Sequence, residues 1–225
     1  MMNSTQRVEL KKSAARKQRR ERRRKQWDSL TDWARVQASV ITMPIARAVG
    51  RLGVHPNTLT VIGMLLQVGV AVVFGLGYIK LGGWLLLIVA PIDALDGALA
   101  RALGKQSRFG AFLDSTLDRI ADAVLILGLT THYLSQEMYV LVTLLLISLV
   151  AAMMVSYIRA RAEALGFSCK VGVLTRMERI LLIAVLSVLG LPFPMAWALA
   201  ALSVFTVVQR ILHIYAISKQ EEQGS

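Results

Sequence analysis

From residue 57 to residue 217 the chain is a series of long apolar runs broken by short polar stretches. Six runs stand at roughly 57–79, 83–103, 109–133, 138–160, 175–191 and 194–217. Each approaches the ~20 residues an α-helix needs to cross the hydrocarbon core of a bilayer, the fifth being the shortest. No period-two alternation competes with helix, and no internal repeat appears. The pattern predicts an all-α integral membrane protein with six transmembrane helices, in a domain spanning 54–219. An N-terminal amphipathic interfacial helix is expected at 27–53. There Trp33, Val36, Val40, Met43, Val49 and Leu52 recur at helical spacing opposite Asp32, Arg35, Arg47 and Arg51, with a break at Pro44. Asn57, just after Pro56, is the expected N-cap of the first span, behind a loop that runs to Thr60.

Charge is distributed unevenly over this frame. The chain of 225 residues is 55% hydrophobic and carries a formal charge of +12. Residues 11–25 alone hold ten Lys/Arg against one Glu, so the apolar body is close to neutral. The segment 1–26 is expected to be a disordered cytoplasmic tail that attracts anionic lipid. It lacks the aromatic interleaving of a nucleic-acid reader, and no nucleic-acid partner is expected. Loops after the second and fourth spans hold Arg101, Lys105, Arg108, Arg161 and Lys170, whereas the other side holds little beyond Lys80 and Glu137. The positive-inside rule therefore puts both termini and this end of the bundle in the cytoplasm of a multi-pass protein of the cell (inner) membrane. No cleavable signal peptide is expected, and the lone Cys169 permits no intramolecular disulfide.

Four aspartates then change the picture. Asp93, Asp96, Asp114 and Asp118 fall in two of the apolar runs, where each unpaired carboxylate costs roughly 2.5–3.5 kcal/mol on insertion scales. Four of them together would cost on the order of 10 kcal/mol, comparable to the stability of a whole domain. Asp93 and Asp96 lie about 60° apart on one helix, and Asp114 and Asp118 one turn apart on the next. Facing one another, the two helices offer an all-oxygen cage without His or Cys, which suits Mg²⁺ or Mn²⁺ rather than zinc. The plainer reading is a helix pair packed through Gly97, Ala100 and Gly104 with its charges in a wet cavity, but packing requires no carboxylates.

In full, Asp93-x2-Asp96-Gly97-x2-Ala100-Arg101-x8-Gly110-x3-Asp114-x3-Asp118 resembles the complete signature of the CDP-alcohol phosphotransferase family. The resemblance implies a metal-dependent enzyme and a homodimer. Asp93, Asp96 and Asp114 would be ligands of two ions, Mg²⁺ or Mn²⁺. Asp118 would be both a ligand and the general base for the acceptor hydroxyl. Gly97 would let the nucleotide of a CDP-linked lipid approach the backbone, and Arg101 would face its diphosphate. Asn57, Thr58, Leu59, Thr60 and Ser107 would border the nucleotide.

A second constellation lies further on. Arg159 ends the fourth span, Arg179 begins the fifth, and Arg210 sits about two turns inside the sixth. Bundled together with Ser156, they would form a pocket for an acceptor phosphate, since guanidinium forks match phosphate oxygens. The alternative is ion pairing with Glu163 and Glu178. The runs SYIRARAEALG, TRMERILLI and VVQRILH are similar to the actinobacterial-type phosphatidylinositol-phosphate synthases, departing at Arg159 and Met177, where that group has Lys and Pro. The expected reaction is transfer of a phosphatidyl group from CDP-diacylglycerol to a phosphorylated polyol, inositol 3-phosphate first and glycerol 3-phosphate second. Intramembrane acids also occur in cation transporters, but broken helices and inverted repeats are missing here. A membrane adaptor displaying the basic tail would leave the aspartates unexplained.

Overall fold

The computed structural model describes residues 56–102 and 107–224, with side chains at 56–91 and 107–220. The basic tail at 1–26 and the expected interfacial helix at 27–53 lie outside the described residues. Six helices coincide with the six apolar runs. They are α1 Pro56–Gly75, α2 Ile79–Ala102, α3 Arg108–Ser135, α4 Tyr139–Ala164, α5 Arg176–Leu189 and α6 Pro192–Gly224. No strand occurs among the described residues. Three helices are long and apolar enough to cross a membrane, namely α1, α4 and the part of α6 from Pro192 to Gln220. α2 carries Asp93 and Asp96, α3 carries Asp114, Asp118, Arg119 and Asp122, and α5 is only 14 residues long.

Short connections join α1 to α2, α3 to α4 and α5 to α6, so each pair is antiparallel. Gly77 turns the first with φ 90°, and Gly190 caps α5 in the left-handed region with φ 68°. At the opposite end lie Ser107, which leads into α3, and the longer connection 165–175. The first turns of α1, α3 and α5 therefore share one end of the bundle with the last turns of α2, α4 and α6. α1 packs most extensively on α3 and also on α2, α2 packs on α5, and α4 on α6.

The two ends have different interiors. Toward the tight turns the core is apolar, built from Phe74, Leu86, Leu125, Leu129, Leu145, Ile183, Met195 and Leu199. Toward the other end the buried residues include Thr60, Asp122, Arg179, Thr206 and Arg210. The outer surface is lined by exposed Leu65, Val72, Trp84, Val150, Leu181 and Phe205, which is how a lipid-facing surface reads. Helix association without a hydrophobic drive rests on close backbone approach. A Cβ on Gly128 of α3 would stand 2.2 Å from the carbonyl oxygen of Ala71 on α1, and one on Gly83 of α2 would stand 2.8 Å from that of Ala184 on α5.

Gly128→Ala is accordingly expected to force α1 from α3 and lower stability by about 1–3 kcal/mol, the usual range for overpacking. Gly69→Ala, whose Cβ meets nothing within 4 Å, is the matched control. Thermal melting of the solubilised protein compares them, and equal midpoints would mean that the α1–α3 approach is not the limiting contact.

Candidate active site

The polar end of the bundle is assembled from helix termini. Ser107 caps α3 in an extended conformation, and its hydroxyl accepts the Gly110 N–H at 2.9 Å. A Cβ on Gly110 would stand 3.0 Å from both the Ser107 hydroxyl and the Asn57 side-chain oxygen. Two residues expected to border the nucleotide, Asn57 and Ser107, thus converge on one glycine. Gly110 matters for this close approach. The segment Asn57–Thr60 is not a loop but the first turn of α1, opened by Pro56. A proline at the first helical position lacks only an N–H that would have no intrahelical partner there, so Asn57 stands inside the helix instead of capping it. Thr58 is exposed and Leu59 half-buried, while buried Thr60 returns its hydroxyl to the Pro56 carbonyl at 3.2 Å.

On α3, Asp114, Asp118 and Asp122 recur every four residues and form one stripe over successive turns. Asp114 and Asp118 are half-buried, and Asp122 is 5% exposed. The stripe faces the start of α5. Arg176 NH1 lies 2.9 Å from Asp118 Oδ1, and its Nε lies 3.3 Å from Asp122 Oδ1. Arg179 NH1 donates to Asp122 Oδ2 at 2.6 Å. Arg119, next along the chain, is 3.6 Å from the other oxygen of Asp118. The chain reads Asp118, Arg176, Asp122, Arg179, alternating in sign across two helices.

Asp122 and Arg176 were not among the expected site residues, although their signals are simple. Asp122 continues the four-residue spacing of Asp114 and Asp118, and Arg176 precedes Arg179 by one helical turn. Asp93, Asp96, Gly97 and Arg101 belong to α2, whose backbone is helical through Ala102, but their side chains lie outside the described ones. For a metal, the described part of the donor set is the Asp114–Asp118 pair on consecutive turns. An all-carboxylate set of this kind fits a hard cation such as Mg²⁺ or Mn²⁺.

The three arginines of the expected acceptor pocket come from three helices, and each has a protein partner. Arg159 pairs with Glu163 one turn on at 2.9 Å and is half exposed. Arg179 is 2% exposed against Asp122. Arg210, 4% exposed, donates to the Val155 carbonyl of α4 and, at 2.9 Å, to the Val171 carbonyl of the 165–175 connection. It is still close enough to Arg159 and Arg179 to feel their charge. Ser156 follows Val155 on α4 and is half-buried. Glu178 is engaged in capping α5, accepting the Thr175 N–H at 2.9 Å. Of the two expected acidic partners, Glu163 pairs with Arg159, and Glu178 serves the cap of α5.

Residues 53–209 match the family model described as CDP-alcohol phosphatidyltransferase. The chain is 38% identical over 187 residues to a phosphatidylinositol phosphate synthase of Corynebacterium glutamicum, covering 79% of this chain and 85% of that protein. It is 39% identical over 181 residues to an archaetidylinositol phosphate synthase of Pyrococcus horikoshii, covering 80% and 92% respectively. Its fold is similar to crystal structures of the phosphatidylinositol phosphate synthase of Mycobacterium tuberculosis. With CDP-DAG bound, that structure aligns with a TM-score of 0.71 at 36% identity, covering 78% of this chain and 94% of that one. In complex with manganese and citrate, it aligns with a TM-score of 0.69 at 36% identity, covering 77% and 88%.

Arg210 is a clamp on the α4–α5 connection, whatever else it does. Arg210→Ala should strip the Val171 carbonyl of its guanidinium donor, at about 1–3 kcal/mol for a polar group left unpaired. Amide hydrogen exchange over residues 165–175 should rise in that variant, and unchanged protection would remove Arg210 from this role.

Proposed function

Given that the chain belongs to the CDP-alcohol phosphatidyltransferase family, an enzyme family that transfers a phosphatidyl group, we propose that its acceptor is a phosphorylated polyol, inositol 3-phosphate. The observation that carries this reading is the meeting of Asp118 and Asp122 of α3 with Arg176 and Arg179 of α5. A phosphorylated acceptor needs carboxylates for its reacting hydroxyl and guanidiniums for its phosphate, side by side. The relatives named for inositol phosphate products support the same choice.

Asp118 is the base that takes the acceptor hydroxyl's proton. The hydroxyl oxygen forms a bond to the lipid-bearing phosphorus of CDP-diacylglycerol, and the bond from that phosphorus to the CMP oxygen breaks. Asn57 and Ser107, brought together at Gly110, border the nucleotide with Thr58, Leu59 and Thr60, while Gly97 and Arg101 serve it from α2. Arg179, Arg159 and Arg210, with Ser156, hold the acceptor phosphate through charge-assisted hydrogen bonds. Asp93, Asp96, Asp114 and Asp118 would hold two Mg²⁺ or Mn²⁺ ions, which when bound withdraw charge from the diphosphate. The manganese in a related structure supports a divalent metal of this kind. All six helices span the cell membrane, with the polar end, both termini and the lipid-attracting tail on the cytoplasmic side. The protein works as a homodimer.

An acceptor panel in membranes with CDP-diacylglycerol tests the reading. Inositol 3-phosphate should release CMP, while free inositol and serine should not. Faster turnover with glycerol 3-phosphate would reassign the enzyme to phosphatidylglycerophosphate synthesis. Asp93→Asn, Asp96→Asn or Asp114→Asn should each abolish nearly all CMP release with membrane insertion intact. Asp118→Asn should reduce turnover by about 10²–10⁴-fold, the usual loss on removing a general base. Near wild-type CMP release from any of the four would sink the corresponding role.

A further inference from the structure

Asp122 has no place in the reaction just described, yet its carboxylate is buried inside a membrane-spanning helix and both its oxygens are occupied. Oδ2 takes Arg179 NH1 at 2.6 Å and Oδ1 takes Arg176 Nε at 3.3 Å. A single carboxylate thus orients two guanidiniums of the next polar helix. The first of these, Arg176, reaches on to Asp118 at 2.9 Å. With NH1 tied down, Arg179 turns its other edge elsewhere, and its Nε is buried with no hydrogen-bond partner among the described residues. The Nε edge of a guanidinium is one that grips an oxyanion in bidentate fashion.

We infer that Asp122 is a positioning residue for the acceptor. It aims the Nε edge of Arg179 at the acceptor phosphate and, through Arg176, keeps that guanidinium in register with Asp118. The inference rests on the reading of Arg179 as a phosphate ligand. Its physical content is preorganisation. An arginine side chain on its own samples many rotamers, and fixing one before substrate arrives removes that entropy from the binding step. The carboxylate also allows a guanidinium to stay charged and buried beside Arg176 without a substrate. Placed one turn from Asp118, it sets the separation between the group that takes the proton and the group that holds the phosphate.

The test uses the full-length enzyme in detergent with CDP-diacylglycerol and inositol 3-phosphate, and measures KM for each substrate, kcat and the melting midpoint. Asp122→Asn keeps the shape and one acceptor oxygen but loses the charge. It should raise the acceptor KM about tenfold, the effect of weakening one charge-assisted contact, with the CDP-lipid KM little changed. Arg179→Ala should raise the acceptor KM at least as much, and Asp122→Asn added to it should raise it no further. Asp122→Glu keeps the charge, displaces it by one methylene, and should raise the acceptor KM less than Asp122→Asn. This arm also decides the matter should Asp122→Asn fail to give a folded protein. An unchanged acceptor KM in the folded Asp122 variants, with Arg179→Ala raising it, would overturn the inference alone. Fully additive effects in the double variant would do the same. An unchanged acceptor KM in Arg179→Ala would instead remove the reading of Arg179 on which the inference stands.

Discussion

Ionised side chains in a hydrocarbon environment must be paired, and that constraint shapes the polar end of this bundle. Breaking a buried pair by removing one partner typically costs 3–5 kcal/mol, because the remaining charge is left uncompensated. Asp118, Arg176, Asp122 and Arg179 meet the constraint with a chain of alternating signs running between α3 and α5. Arg176 and Asp122, in the middle, each have a partner on either side, and Asp118 has Arg119 as well. The arrangement also dictates which helices must be neighbours at this level, since two carboxylate-bearing turns of α3 have to meet the first turn of α5.

The rest of the bundle serves that juxtaposition. Its far half is filled by Phe74, Leu125, Leu145, Ile183 and Leu199, all essentially inaccessible. Backbone-to-backbone approaches at Gly128 on Ala71 and at Gly83 on Ala184 set the spacing of α1 to α3 and of α2 to α5. α1 and α5 therefore act as rigid walls. One wall brings Asn57 against the Ser107 cap of α3, and the other brings Arg176 and Arg179 against its aspartate stripe. A cap, a glycine and the aspartates of the charge chain lie between Ser107 and Asp122, at the start of a single helix, α3. Sites built on helices hold their geometry better than sites built on loops.

The connection between α4 and α5 shows how the same chemistry can serve structure. Arg210 fastens the Val171 carbonyl to α6, and Thr206 accepts the Leu174 N–H at 3.1 Å. Gly172 sits under this clamp, where a Cβ would be 3.0 Å from the Thr206 methyl and 3.2 Å from Arg210 NH2. A guanidinium with five donors can hold two carbonyls and still present others. The chain thereby ties down an irregular segment at the polar end of the bundle.

Helix existence was legible in the sequence because length and apolarity are local properties. All six apolar runs became helices, although the capping pair of Thr175 and Glu178 that opens α5 emerged only with the structure. The aspartate signature was equally local, since its spacing alone puts Asp114 and Asp118 on one stripe. Pairing was another matter. Nothing in the linear order says that Asp122 meets Arg179, 57 residues away, or that Arg210 seeks two carbonyls instead of an acid. Those choices depend on which helices pack together and at what height, which is set by glycines whose partners are distant in sequence. Local chemistry wrote the elements and the list of charges, and only their packing decided which charge answers which, because in a low-dielectric interior that answer depends on ångström-scale separation.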